Sequence, residues 1–164
     1  MSLRMQQKNR VLAVDPGYDR IGIAVMERDN LIHSECFVPL TKIFSERLSA
    51  LFERITKTIK KHQPDGLAIE TLFFSKNQKT AIHVAEARGV ISVAASIQKV
   101  PVFEYSPQEV KIAVTGSGNA PKEQVIRMVE RLVPLSKKKR LDDEYDAIAL
   151  AIAHLAKSRF FHNP

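Results

Sequence analysis

The sequence predicts an α/β fold: a mixed five-stranded sheet, three antiparallel strands and then two parallel ones, flanked by helices. Three observations lead there. Short apolar runs divided by turn residues fill the chain up to Val38. A long segment with apolar residues three and four apart follows. From there short strands alternate with helical segments, the pattern of crossover connections.

The elements follow in order. Residues 11–14, Val-Leu-Ala-Val, form an apolar strand that ends at Asp15-Pro16-Gly17, and residues 21–26 form a second strand at once. Turn residues Asp29-Asn30 lead to a third strand, 31–38, completing a meander. Over 41–61, Ile43, Phe44, Leu48, Leu51, Phe52, Ile55 and Ile59 recur on one helical face, and Pro64-Asp65-Gly66 stops that helix. Leu67-Ala68-Ile69 is a fourth strand ending on Glu70, expected beside strand one, with right-handed crossovers limiting where the later strands can lie. After a Phe-rich loop, 80–99 reads as a helix whose Ala85, Ala87, Gly89, Ala94, Ala95 and Ser96 permit close packing. Strand five is 101–105. Ser106-Pro107 opens a short helix to 114, and Gly116-Ser117-Gly118-Asn119 leads into another over 121–133. The basic run 137–140 precedes a last helix, 142–158. The expected organisation is a flexible extension over 1–9, one domain over 10–158 and a tail over 159–164.

Composition narrows the function classes. The 164 residues are 45% hydrophobic and 26% charged with 6 Gly and 8 Pro, which is neither disordered nor fibrous. No apolar run approaches the roughly 20 residues that cross a bilayer, so no membrane association is expected. Asp15 interrupts the first apolar run, which argues against a secretory leader and for a cytoplasmic protein. A single cysteine, Cys36, excludes an internal disulfide and a multi-Cys zinc site, and as a strand residue it is expected to be buried. The net charge of +7 favours a polyanionic partner.

The acids carry the chemistry. Asp15 ends strand one and Glu70 ends strand four, so parallel neighbouring strands set them side by side at the carboxyl edge of the sheet. Asp143 and Asp146 lie one helical turn apart on a shared face, and the last helix need only cross that edge to add them. Carboxylates clustered in this way take up protons unless hard divalent cations neutralise them. Oxygen ligands suit Mg²⁺ or Mn²⁺, and two such ions about 4 Å apart would clamp the attacking water and leaving oxygen of a phosphodiester. Plainer readings exist: Asp15 as a turn former, and Asp142, Asp143 and Glu144 as first-turn acids favouring the helix dipole. Asp146 resists that explanation, since it precedes the nearly uncharged run 147–153.

These residues also carry a resemblance. Asp15-Pro16-Gly17, the block from Ala68 to Asn77, Ala87-Arg88-Gly89-Val90, Pro101-Val102-Phe103-Glu104-Tyr105 and Asp143-Glu144-Tyr145-Asp146-Ala147 resemble the RuvC family of Holliday junction resolvases, in order and over 11–155. The resemblance implies an RNase H-like fold and a homodimer. It implies Mg²⁺-dependent nicking of two opposed strands of a four-way DNA junction, and partnership with a branch-migration helicase complex. The family's catalytic, metal-binding acids fall on Asp15, Glu70, Asp143 and Asp146, its base-contacting aromatic on Phe73, and its functional lysines on Lys111 and Lys122. One departure stands out. Where family members usually have Ser and later Thr-Gly, this chain has Tyr18, Asp19, Arg20 and Ile21 before Gly22, an arrangement similar to the YqgF branch.

Other features weigh less. Adjacent Phe73 and Phe74 point apart if extended, which leaves one free to stack on a base. Lys76, Lys79, Lys111, Lys122 and the 137–140 run could track phosphates, though lysines are mostly solvated surface. Lys122 ranks above the rest because it opens a helix, whose N-terminus attracts anions. His33, His62, His83 and His162 share no ligand spacing, and His154 reads as core-edge packing. The apolar residues of 80–99 cover more than one stripe, which suits a dimer surface or a helix buried beneath the sheet. The reading is a two-metal junction resolvase acting with Mg²⁺, with Mn²⁺ able to substitute. Asp15, Glu70, Asp143 and Asp146 are its metal ligands, and Phe73, Lys76, Lys111 and Lys122 touch DNA. The alternatives are a YqgF-type nuclease acting on RNA or other branches, and a branched-DNA binder that does not cut.

Overall fold

A computed structural model describes residues 9–72 and 78–161. Its elements are β1 (Arg10–Asp15), β2 (Ile21–Glu27), β3 (Asn30–Phe37), α1 (Phe44–His62), β4 (Gly66–Glu70), α2 (Gln78–Ile97), β5 (Val102–Tyr105), α3 (Pro107–Thr115), α4 (Lys122–Leu132) and α5 (Asp142–Phe161). The sheet order is β3-β2-β1-β4-β5. The first three strands are antiparallel neighbours, whereas β1–β4 and β4–β5 run parallel. The expected mixed sheet, with strand four beside strand one, is the one observed.

Strand β1 is central because Val11, Leu12, Ala13 and Val14 are all wholly buried, and a strand covered on both faces needs an unbroken apolar run. Alternation divides them. Leu12 and Val14 join Ile55, Ile91 and Ala94 under α1 and α2, while Val11 and Ala13 join Ile148, Leu150 and Val129 under α5 and α4. On the α5 face, Ala24, Ala13 and Ala68 stand in register across three strands. Small side chains there let α5, itself lined with Ala147, Ala149 and Ala151, lie close on the sheet. By the same period of two, Gly22, Asp15 and Glu70 emerge on this face at the carboxyl edge.

Several boundaries move. Helix α2 ends at Ile97 because Lys99 adopts a left-handed conformation (φ 58°) and Val100 donates back to the Ala95 carbonyl at 3.0 Å. Helix α5 continues to Phe161, three residues past the expected end at 158, since no Gly or Pro interrupts it after Asp142. Cys36 is half-buried rather than buried, because β3 is an edge strand. No described helix is long and apolar enough to cross a membrane.

Candidate active site

Beyond the Val14–Ile69 pair of the parallel ladder, Asp15 and Glu70 leave the sheet together and line one cavity of about 200 Å³. Thr71 and Arg88 line it as well. Helix α5 reaches this edge through a gap in β2. Gly22 pairs with Asp15, and a Cβ on it would lie 1.9 Å from the Asp143 carbonyl oxygen. The missing side chain is the space in which the first turn of α5 sits, and it delivers Asp143 and Asp146 beside Asp15.

Each α5 acid has a basic partner. Asp143 Oδ2 lies 3.1 Å from Arg20 Nε and 4.0 Å from Cys36 Sγ. Asp146 Oδ2 accepts from Lys122 Nζ at 2.9 Å, and Asp142 Oδ2 lies 3.5 Å from the same ammonium. Glu144 turns the other way. It is 4% exposed and accepts from Lys138 Nζ and Ser34 Oγ, both at 3.0 Å, tying the basic run to β3 and α5. Lys138 and Arg140 of that run are therefore structural: Arg140 bonds the Ser136 carbonyl at 3.0 Å.

Electrostatics show what the cluster lacks. Burial, then repulsion from Glu70, Asp146 and Asp143, pushes the Asp15 carboxyl up to about 8, with Lys122 only partly offsetting. Burial and Asp146 push Glu70 up to about 7 against the pull of Lys111 and Lys122. Asp146 is also raised by burial despite its ion pair. Lys122, opposed by burial, is raised on balance by the hydrogen bond it donates to the Asp146 carboxylate. The cluster is short of positive charge, and its hard oxygen donors fit divalent cations. As the side chains stand, no three acidic, histidine or cysteine groups among the described residues converge as a ligand cage. Asp143 and Asp146 face Arg20 and Lys122 instead, so closing the set around an ion requires those pairs to open.

The four acids expected from the sequence are thus brought to one edge by β1, β4 and α5. Lys122 stands among them, and Lys111 lies within electrostatic reach of Glu70. Phe73 and Lys76 lie outside the described residues. His154 accepts or donates at Tyr105 Oη over 2.9 Å and packs against Phe103, the core-edge role expected of it. Sequence reasoning missed Arg20, Thr71 and Arg88. Arg88 sat inside a motif already singled out, and only its distance in sequence from Asp15 and Glu70 hid its place.

Comparison with known proteins agrees with this geometry. The family model described as crossover junction endodeoxyribonuclease RuvC matches residues 11–154. The chain is 41% identical to the Thermotoga maritima crossover junction endodeoxyribonuclease RuvC over 155 residues, 92% of each. It is also 41% identical to the Brachyspira hyodysenteriae protein of that name over 157 residues, 93% of this chain and 97% of the relative. Among solved structures, Thermus thermophilus RuvC in complex with a Holliday junction substrate superposes with TM-score 0.85 at 30% identity, covering 93% of this chain and 96% of that one. Five strands in the order seen here, a carboxylate-lined edge and matches over nearly the whole chain have one reading: the chain belongs to the RuvC family of crossover junction endodeoxyribonucleases, which are metal-dependent nucleases.

Proposed function

We propose that this chain resolves four-way DNA junctions by paired symmetric nicks, with Asp15, Glu70, Asp143 and Asp146 holding two Mg²⁺ ions and Mn²⁺ able to replace them. The observation that carries the reading is the charge deficit at the carboxyl edge, where carboxyls from β1, β4 and α5 meet and Asp15 holds its proton to about 8. When bound, divalent cations supply the positive charge against which a phosphodiester is hydrolysed. The chain's own groups do the rest. Asp15 and Glu70 would hold such ions as deprotonated carboxylates. Arg20 and Lys122 pair with the Asp143 and Asp146 carboxylates, and would be free to face the DNA backbone once those carboxylates held a cation. Lys111 adds positive potential beside Glu70.

The nuclease unit is residues 10–158, and the family match over 11–154 supports that span. The net charge of +7 suits a DNA partner. Ile82, Val93 and Ile97 of α2 are exposed on one stripe, which supports a homodimer through that helix. Phe73 and Lys76 as DNA contacts, a branch-migration helicase partner and a cytoplasmic setting rest on the sequence reading alone.

The test is cleavage of a mobile four-way junction beside a linear duplex and an RNA stem of equal length, with Mg²⁺ or EDTA. Paired nicks in the junction alone, abolished by EDTA, are expected. Cutting of the RNA with the junction intact would move the chain to the YqgF-type reading, and binding without cutting under any divalent metal would leave a binding module.

A further inference from the structure

Three buried side-chain polar atoms have no hydrogen-bond partner among the described residues, and two of them, Thr71 Oγ1 and Arg88 Nε, belong to residues lining the cavity that holds Asp15 and Glu70. A buried donor without a partner is costly, and such atoms gathered at one pocket mark a polar edge that a ligand completes. Arg88 does not pair with either acid of that cavity. Its Nη2 donates instead to Glu104 Oε1 at 2.6 Å, from β5, where Glu104 stands in register with Ile69. The side chain of Arg88 is 19% exposed, so the guanidinium is held in place rather than swinging in solvent. Glu104 thereby holds the guanidinium at the cavity that Asp15 and Glu70 also line. Arg88 and Glu104 lie in two of the motifs singled out in the sequence, Ala87-Arg88-Gly89-Val90 and Pro101-Val102-Phe103-Glu104-Tyr105.

We propose that Arg88, with the Thr71 hydroxyl beside it, binds non-bridging oxygens of a backbone phosphate of the strand being cut, and that Glu104 is the positioning residue that aims the guanidinium. A planar fork of N–H donors matches a phosphate in a way a lysine does not. The proposal rests on the junction-nuclease reading and extends it by naming the group that seats the DNA backbone at the acids.

The test uses the full chain and junctions carrying a single neutral methylphosphonate at the cut linkage or at one neighbour on either side, with binding measured in Ca²⁺ and cutting in Mg²⁺. Arg88→Gln and Arg88→Lys should each bind the ordinary junction about tenfold more weakly or worse, as expected for a lost charge-assisted pair. At one of the three linkages the methylphosphonate should cost the wild type as much and the Arg88 variants nothing further. Glu104→Gln should reproduce a milder form of the same pattern, and Thr71→Val should weaken binding at the same linkage. Unfolding midpoints near wild type for Arg88→Lys keep the comparison free of misfolding. Equal methylphosphonate penalties in wild type and Arg88→Lys at all three linkages would overturn the proposal while leaving the nuclease reading intact. A wild type that fails to cut the ordinary junction would instead overturn the reading beneath it.

Discussion

Asp15 is the residue on which the site turns. Its carboxyl is held up to about 8 by burial first and by three neighbouring acids second, and Glu70 is held up to about 7. A carboxyl whose folded pKa is raised binds its proton more tightly in the native state than in the unfolded chain. The fold therefore keeps that stability below the unfolded value near 4 and loses it as pH rises through the folded value. In chelator, the melting temperature should fall between about pH 4 and pH 8, and Asp15→Asn should flatten that fall. Adding Mg²⁺ at pH 8 should raise it again in the wild type and much less in Asp15→Asn. A midpoint in chelator that does not decline over this range would contradict the charge deficit. At this scale the sequence was informative about Asp15 and Glu70, because each directly ends an apolar strand and the period of two fixes the face it leaves from. Arg20 with Asp143, and Lys122 with Asp146, were not legible as pairs, since 24 residues or more separate the partners and the pairing depends on how α5 lies. Glu144 was read as a first-turn acid favouring the helix dipole; it is one, and it is also a buried side chain held by Lys138 and by Ser34 of β3, which the sequence did not show.

At the scale of elements, α5 decides whether four acids become one site. Its approach depends on small residues, the Ala24–Ala13–Ala68 row beneath it and Gly22 at the edge. Gly22→Ala would set a Cβ against the Asp143 carbonyl, with no flexible side chain there to yield. Such overpacking should cost about 1–3 kcal/mol. By displacing the first turn of α5 it should also lower cleavage by tenfold or more, as a misplaced ligand does. Cleavage rates and thermal unfolding of Gly22→Ala beside a surface control check both. A variant with wild-type cleavage would show that the gap does not position Asp143. The existence of α5 was plain from the sequence, but its orientation was not. Apolar residues surround it, so periodicity marks no preferred face, and only the alanine row across three strands, visible once register is known, selects one. The same ambiguity affected α2, which proved to bury Ala87, Ile91 and Ala94 on the sheet and to leave Ile82, Val93 and Ile97 outside. The meander and β4 raised no such difficulty, because short apolar runs bounded by Asp-Pro-Gly or Pro-Asp-Gly have few other readings.

For the molecule as a whole, paired nicks require two active sites. The exposed stripe on α2 is the surface proposed to join two copies, and a charge in it should be disruptive. Val93→Glu should shift the chain from dimer to monomer in sedimentation at micromolar concentration, with the fold intact by circular dichroism. Its junction products should then be single, uncoordinated nicks. An unchanged sedimentation profile would place the dimer contact elsewhere. Above that stands the claim that four carboxylates brought together by β1, β4 and α5 act as one centre. The most direct test is to assay Asp15→Asn, Glu70→Gln, Asp143→Asn and Asp146→Asn for both binding and cutting of a four-way junction in Mg²⁺. Each should bind at least as well as the wild type, because an acid facing phosphate has been removed, and each should cut about a thousandfold more slowly or not at all. A variant among the four that cuts at the wild-type rate would show that its carboxylate is no part of the centre.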